Sequence, residues 1–131
     1  MNGQTHQVMK TPSQAPAQSG AAAGNIFGVN VSGWSVTYDA GTGVLTGKAT
    51  VTPDAGVTLA SVGIGIYPPS LADNSMYASG IASPATPASG AWSVETITAL
   101  FNPQTEGNNV VSTVLGQSSR GFYFFQQSFT V

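Results

Sequence analysis

The sequence predicts an all-β, antiparallel two-sheet β-sandwich. Three observations predict it: short runs in which apolar and polar residues alternate, turn residues between those runs, and no helical period. From Ile26 onward, seven or eight strands fit into about 105 residues, with turns every ~8–15 residues, which is the spacing of Greek-key sandwiches. A jelly roll is the alternative, and it usually takes more chain.

Each element follows from local pattern. Phe27, Val29 and Val31 alternate, and Trp34, Val36 and Tyr38 then alternate in the opposite phase. The one-residue slip across Ser32-Gly33 marks a bulge or a strand that changes sheets. Residues 39–43 (Asp-Ala-Gly-Thr-Gly) form a turn. Residues 44–52 place Leu45, Ala49 and Val51 on one face and Thr46, Lys48, Thr50 and Thr52 on the other, the signature of a half-buried antiparallel strand. A second turn at 53–56 leads into 57–67, where Val62, Ile64 and Ile66 share a face and Gly63 and Gly65 lie opposite. Glycines at alternate positions weaken a strand unless something packs closely over them.

Pro68-Pro69 ends that strand. A loop, a short edge strand over 76–81 and a Pro-containing connection over 83–90 follow. Residues 91–101 read as a strand with Trp92 and Val94 inward, and 102–109 as a loop. Residues 110–115 and 122–131 form a hairpin across 116–121. The last strand is unusual: Phe122, Tyr123, Phe124 and Phe125 load both of its faces with aromatic rings. A strand with one solvated face alternates, so one face here is expected to meet another surface, either the arm, a neighbouring subunit or a copy of itself. Left bare, it is an aggregation hazard.

Composition narrows the function. Charged residues make up 6% of the chain, against roughly 25% for ordinary soluble domains. The surface is therefore covered by Ser, Thr, Asn, Gln and Gly, whose neutral groups cost less to desolvate than ions. Such a surface suits a protein that works outside cells or packs into a large assembly. Three basic residues, Lys10, Lys48 and Arg120, cannot make the positive stripe that nucleic-acid binding needs, so no nucleic-acid partner is expected. No apolar run is long enough for a membrane span, and membrane insertion is not expected. There is no cysteine, hence no disulfide and no thiolate metal site.

Residues 1–25 differ from the remainder, and the expected division is an arm over 1–25 and a sandwich domain over 26–131. The stretch 11–24 has no large apolar side chain and cannot offset the entropy of ordering itself. It reads as a flexible or polyproline-like arm that orders by lying on another molecule; a plain linker is the other reading. Expected assembly contacts are Gln7, Val8, Met9, Lys10, Pro12 and Pro16 in the arm, with Phe122 and Phe124 on the last strand.

Catalytic chemistry is not expected. His6 is the only histidine and has no orienting partner nearby in sequence. Of the five acids, Asp39, Asp54, Asp73 and Glu106 sit in expected loops, and Glu95 lies on a strand. Asp54 and Asp73 lack the Asp-x-Asp spacing of a calcium loop, no pair of acids is favoured as a glycosidase couple, and no Gly-x-Ser-x-Gly elbow occurs. No catalytic residue, metal or cofactor is assigned. Trp34, Tyr67 and Tyr77 are candidates for stacking on glycans, although Trp34 or Trp92 also suits the core tryptophan of a sandwich.

The Thr-rich alternation of 44–52, Asn108-Asn109 before the penultimate strand, and the terminal Ser128-Phe-Thr-Val131 resemble immunoglobulin-like modules. Such modules occur in bacterial surface proteins and in tailed-phage capsid, tail and decoration proteins. The Cys…Trp…Cys framework of antibody domains is absent. Behind a Pro/Ala/Gln-rich arm, such a module most resembles a phage head decoration or head-fibre protein. The resemblance implies an immunoglobulin-like sandwich docked by residues 1–25 on a major capsid or other virion protein, with homo-oligomers and cell-surface glycans as further partners. The N-terminus shows no basic region followed by an apolar run, which also points to a virion protein made in the host cytoplasm. A carbohydrate-binding or adhesin module of a bacterial surface protein, at the cell surface or outside it, is the alternative.

Overall fold

The computed structural model describes residues 9–12, 24–69, 77–99 and 101–131. In chain order the strands are β1 (Met9–Pro12), β2 (Val29–Asp39), β3 (Val44–Pro53), β4 (Leu59–Tyr67), β5 (Ala78–Ala82) and β6 (Trp92–Thr98). A one-turn helix, α1 (Pro103–Glu106), precedes β7 (Asn109–Ser118) and β8 (Gly121–Thr130). They form two four-stranded antiparallel sheets, ordered β1-β6-β3-β2 and β5-β4-β7-β8, so the expected all-β sandwich is the observed architecture.

The slip seen at Ser32-Gly33 is a bulge within one strand. The β2–β3 register shifts between Ser32 and Ser35, and Gly33 takes φ 58°, open to glycine at no steric cost. The extra residue restores phase, so Val29, Val31, Trp34 and Val36 are all buried. Phe27, expected to start this strand, instead sits in a tight turn closed by the Ile26–Val29 bridge, with φ 50° and an exposed ring. The turn is held from three sides. The Asn25 side chain accepts from Gly28 N and donates to the Asp54 carboxylate, and Ser118 Oγ donates to the Phe27 carbonyl at 2.9 Å.

The hairpin of β7 and β8 is longer than the sequence pattern predicts. The ladder continues from Leu115 to Ser118, leaving Ser119 and Arg120 as the turn. Residues 102–109 hold α1 instead of a plain loop. Asn102 caps it by accepting from Gln104 N at 2.9 Å, and Pro103 opens it with a fixed φ.

The core lies between the sheets as two joined clusters. Trp34, Leu59, Val62, Ile64, Val114 and Tyr123 lie within the larger cluster; Leu45, Ile66, Phe101 and Val110 lie within the other. Each fully buried aliphatic side chain contributes about 1.5–3 kcal/mol relative to exposure. Trp34 ties the sheets with a directed contact as well. Its indole N–H donates to Ser112 Oγ at 3.0 Å, and that hydroxyl donates to the Gly65 carbonyl at 2.9 Å.

Candidate functional site

The second sheet (β5-β4-β7-β8) presents its outer face as the candidate site. Alternation along β8 sends Tyr123 and Phe125 into the core and turns Phe122 and Phe124 outward, 52% and 45% exposed. Register then fixes their neighbours. Phe124 lies opposite Leu115, Leu115 opposite Gly63, and Gly63 opposite Ile81, making one apolar row across all four strands. Among the described residues, Ile81 is the most exposed large apolar one, at 64%. Flanking rows carry no charge: Phe122–Gln117–Ser61 on one side and Gln126–Thr113–Gly65–Ser79 on the other.

The two glycines of β4 give this face its relief. A Cβ on Gly63 would lie 3.2 Å from Ile81 Cγ1, so the isoleucine leans over the bare backbone. A Cβ on Gly65 would lie 3.0 Å from the Tyr67 ring and 3.1 Å from Thr113 Oγ1. Tyr67 therefore lies along the sheet over Gly65, the close packing that alternate glycines require. The Thr113 hydroxyl beside it is buried and has no hydrogen-bond partner among the described residues.

Electrostatically this sheet is blank. None of the residues of β4, β5, β7 or β8 is Asp, Glu, Lys, Arg or His; among the described residues, the charged ones fall on the first sheet, in turns or on α1. The signal was present in the sequence as four strands without a charge. Its meaning appears only when those strands prove to share a sheet.

The stacking candidates part company. Tyr67 joins the outer face with Phe122 and Phe124. Trp34 does not: it is fully buried, packs against Phe129 at 5.8 Å and donates to Ser112, so its ring cannot meet a glycan. The core role is the correct one for Trp34. Tyr77 lies at one end of the sandwich, half-buried and edge-on to Phe101 at 5.1 Å. Its phenol pKa is pushed up to about 12, first by burial, then by the charge of Glu106 and the hydrogen bond between them. That hydroxyl links the chain before β5 to α1.

Among the expected arm contacts, Met9, Lys10 and Pro12 belong to β1, whose backbone pairs in register with Glu95, Val94 and Trp92 of β6. Gln7, Val8 and Pro16 lie outside the described residues, as do His6 and Asp73. The Asp54 carboxylate is occupied by Asn25 and Asn30, whose amides donate to it at 3.2 Å. Among the described residues, no three His, Cys, Asp or Glu side chains come together as a metal group, and no helix is long and apolar enough to cross a membrane.

No family model and no curated protein matches the chain. Among solved structures, it is similar to a DUF3823 family protein from Bacteroides ovatus, with TM-score 0.52 and 16% identity over 79% of this chain. It also aligns with OgpA from Akkermansia muciniphila in complex with an O-glycopeptide substrate, with TM-score 0.47 and 17% identity over 92% of this chain and 31% of OgpA. The chain spans about half (54%) of the length of the Bacteroides protein. What it shares with that bacterial protein is the fold.

Proposed function

We propose that this chain is a non-catalytic, immunoglobulin-like binding module of a bacterial cell-surface or secreted protein, and that its ligand is a neutral glycan. The observation that carries the reading is the outer face of the second sheet, where Phe122, Phe124 and Tyr67 stand among amides and hydroxyls with no charge. Sugar rings offer apolar C–H faces and a rim of hydroxyls, which suits aromatic rings flanked by Gln117, Gln126 and Ser61. A charged ligand would find no counter-ion on this sheet. The fold shared with a Bacteroides protein supports a bacterial source. The virion reading of the sequence draws no support from either solved protein named above.

The immunoglobulin-like class rests on the order of the seven strands after β1. The first, second and fifth of these share one sheet, and the third, sixth and seventh share the other, as in constant-type immunoglobulin domains. The fourth, β5, pairs with the third instead of the fifth. In this reading residues 26–131 are the binding domain, and β1 from the preceding segment adds an edge strand to its first sheet.

A glycan array probed with the full chain tests the proposal. Phe122→Ser and Phe124→Ser together should abolish signal while the melting temperature stays within a few degrees, since both rings are half in solvent. Array signal that survives the double substitution, or an array blank for the wild-type chain, overturns it.

A further inference from the structure

Each sheet of a sandwich has two edges, and an edge is a row of unpaired backbone donors and acceptors unless something blunts it. Three of the four edges here are blunted. The β6 edge is covered by β1, itself four residues ending in Pro12. The β2 edge is broken by the bulge at Gly33. The β5 edge is five residues long. Among the described residues, the β8 edge has none of these devices: ten residues, no proline, no charged side chain, and an unbroken register with β7 from Gly121 to Thr130.

We propose that β8 is a dimerisation strand, and that its occupant is β8 of a second copy of this chain, paired antiparallel about a two-fold axis. Antiparallel pairing of a strand with itself is a two-fold operation, so one edge serves both partners and no second complementary surface is needed. The usual obstacle to such pairing is a charge that meets its own copy across the axis, and residues 121–131 carry none. A ten-residue ladder supplies about ten hydrogen bonds, the number found in an ordinary protein interface. Phe122 and Phe124, half exposed in the single chain, offer the incoming strand apolar neighbours on the outer face. Pairing joins two four-stranded sheets into one eight-stranded sheet and sets two charge-free faces side by side. This dimer does not depend on the glycan reading.

The test is sedimentation equilibrium of the full chain over a concentration series, repeated for Gln126→Lys, Ser128→Lys and Ile81→Lys. Gln126 and Ser128 are exposed on β8, whereas Ile81 is exposed on the outer face of β5, at the opposite edge of the sheet. The expected mass is twice the 13.3 kDa of one chain. Each β8 lysine should weaken association by roughly tenfold or more by placing a charge on the pairing edge, the device that keeps natural edge strands from pairing, and Ile81→Lys should leave it unchanged. Circular dichroism confirms that each variant folds, and amide exchange along β8 should slow as the wild-type concentration rises. A wild-type chain that stays monomeric overturns the proposal. So does a dimer broken by Ile81→Lys and indifferent to both β8 lysines, which would mean packing face to face.

Discussion

Replacing Tyr123 with phenylalanine removes one oxygen atom and leaves the ring in its place. Tyr123 is fully buried, and its hydroxyl donates to the Ser61 carbonyl at 2.7 Å, the usual O–H···O distance. Ser61 lies where the β4–β7 register shifts, so the tyrosine supplies a donor at an irregular point of the ladder. A neutral hydrogen bond contributes about 0.5–1.5 kcal/mol net, and a buried carbonyl left without its donor costs about 1–3 kcal/mol. Tyr123→Phe is therefore expected to lose about 2 kcal/mol, or about 8–12 °C in Tm for a domain of this size. A second signature comes from pH. Burial pushes the Tyr123 phenol above its ordinary value of 10.0. The folded pKa thus exceeds the unfolded one, so the stability from keeping this phenol neutral is whole below pH ~10. It is lost at about 1.4 kcal/mol per pH unit as the pH rises from there toward the folded value. The variant lacks that slope, and the gap between the two proteins should narrow in alkali. Urea unfolding followed by tryptophan fluorescence, at neutral pH and above pH ~10, measures both effects. Equal midpoints at neutral pH, with parallel curves in alkali, would refute the reasoning.

Two further substitutions probe the interior. Thr96 is fully buried and its hydroxyl has no hydrogen-bond partner among the described residues, so Thr96→Val should raise stability by about 1 kcal/mol in thermal melts; a loss would show that the hydroxyl is in use. At Gly116, facing Tyr123 across the ladder, a Cβ would collide with the Ser61 carbonyl oxygen and the Tyr123 hydroxyl. Gly116→Ala should thus cost about 3 kcal/mol or more, whereas Gly90→Ala, where a Cβ meets nothing within 4 Å, should stay within about 0.5 kcal/mol. Comparable denaturation midpoints for the two would sink the steric argument.

Much of the fold was legible in single residues. The phase reversal at Ser32-Gly33 announced the bulge, the alternation of 44–52 announced β3, and Gly63 and Gly65 announced a face that something must cover. The misses lie where local pattern has no purchase. Phe27 continued an alternation but belongs to a turn, because Asn25, Asp54 and Ser118, distant in sequence, converge to hold it there. Trp34 and Tyr67 were both candidates for stacking, with Trp34 or Trp92 also suited to the core. Only the pairing of sheets decides that one is sealed in the core and the other lies on the surface. The run 122–125 was flagged by its own excess of rings, and alternation alone splits it into two inward and two outward residues.

The sequence by itself determined the strands, the turns and the nearly uncharged character of the chain, since each depends on backbone preference, side-chain period or composition within a few residues. The tertiary structure decided that the four strands without charge form one sheet, that Ile81, Leu115 and Phe124 fall in one row, and that β8 lies at the edge of that sheet among the described strands. The reason is that a strand satisfies its backbone hydrogen bonds on a neighbour, and the choice of neighbour turns on which faces bury together across tens of residues of chain.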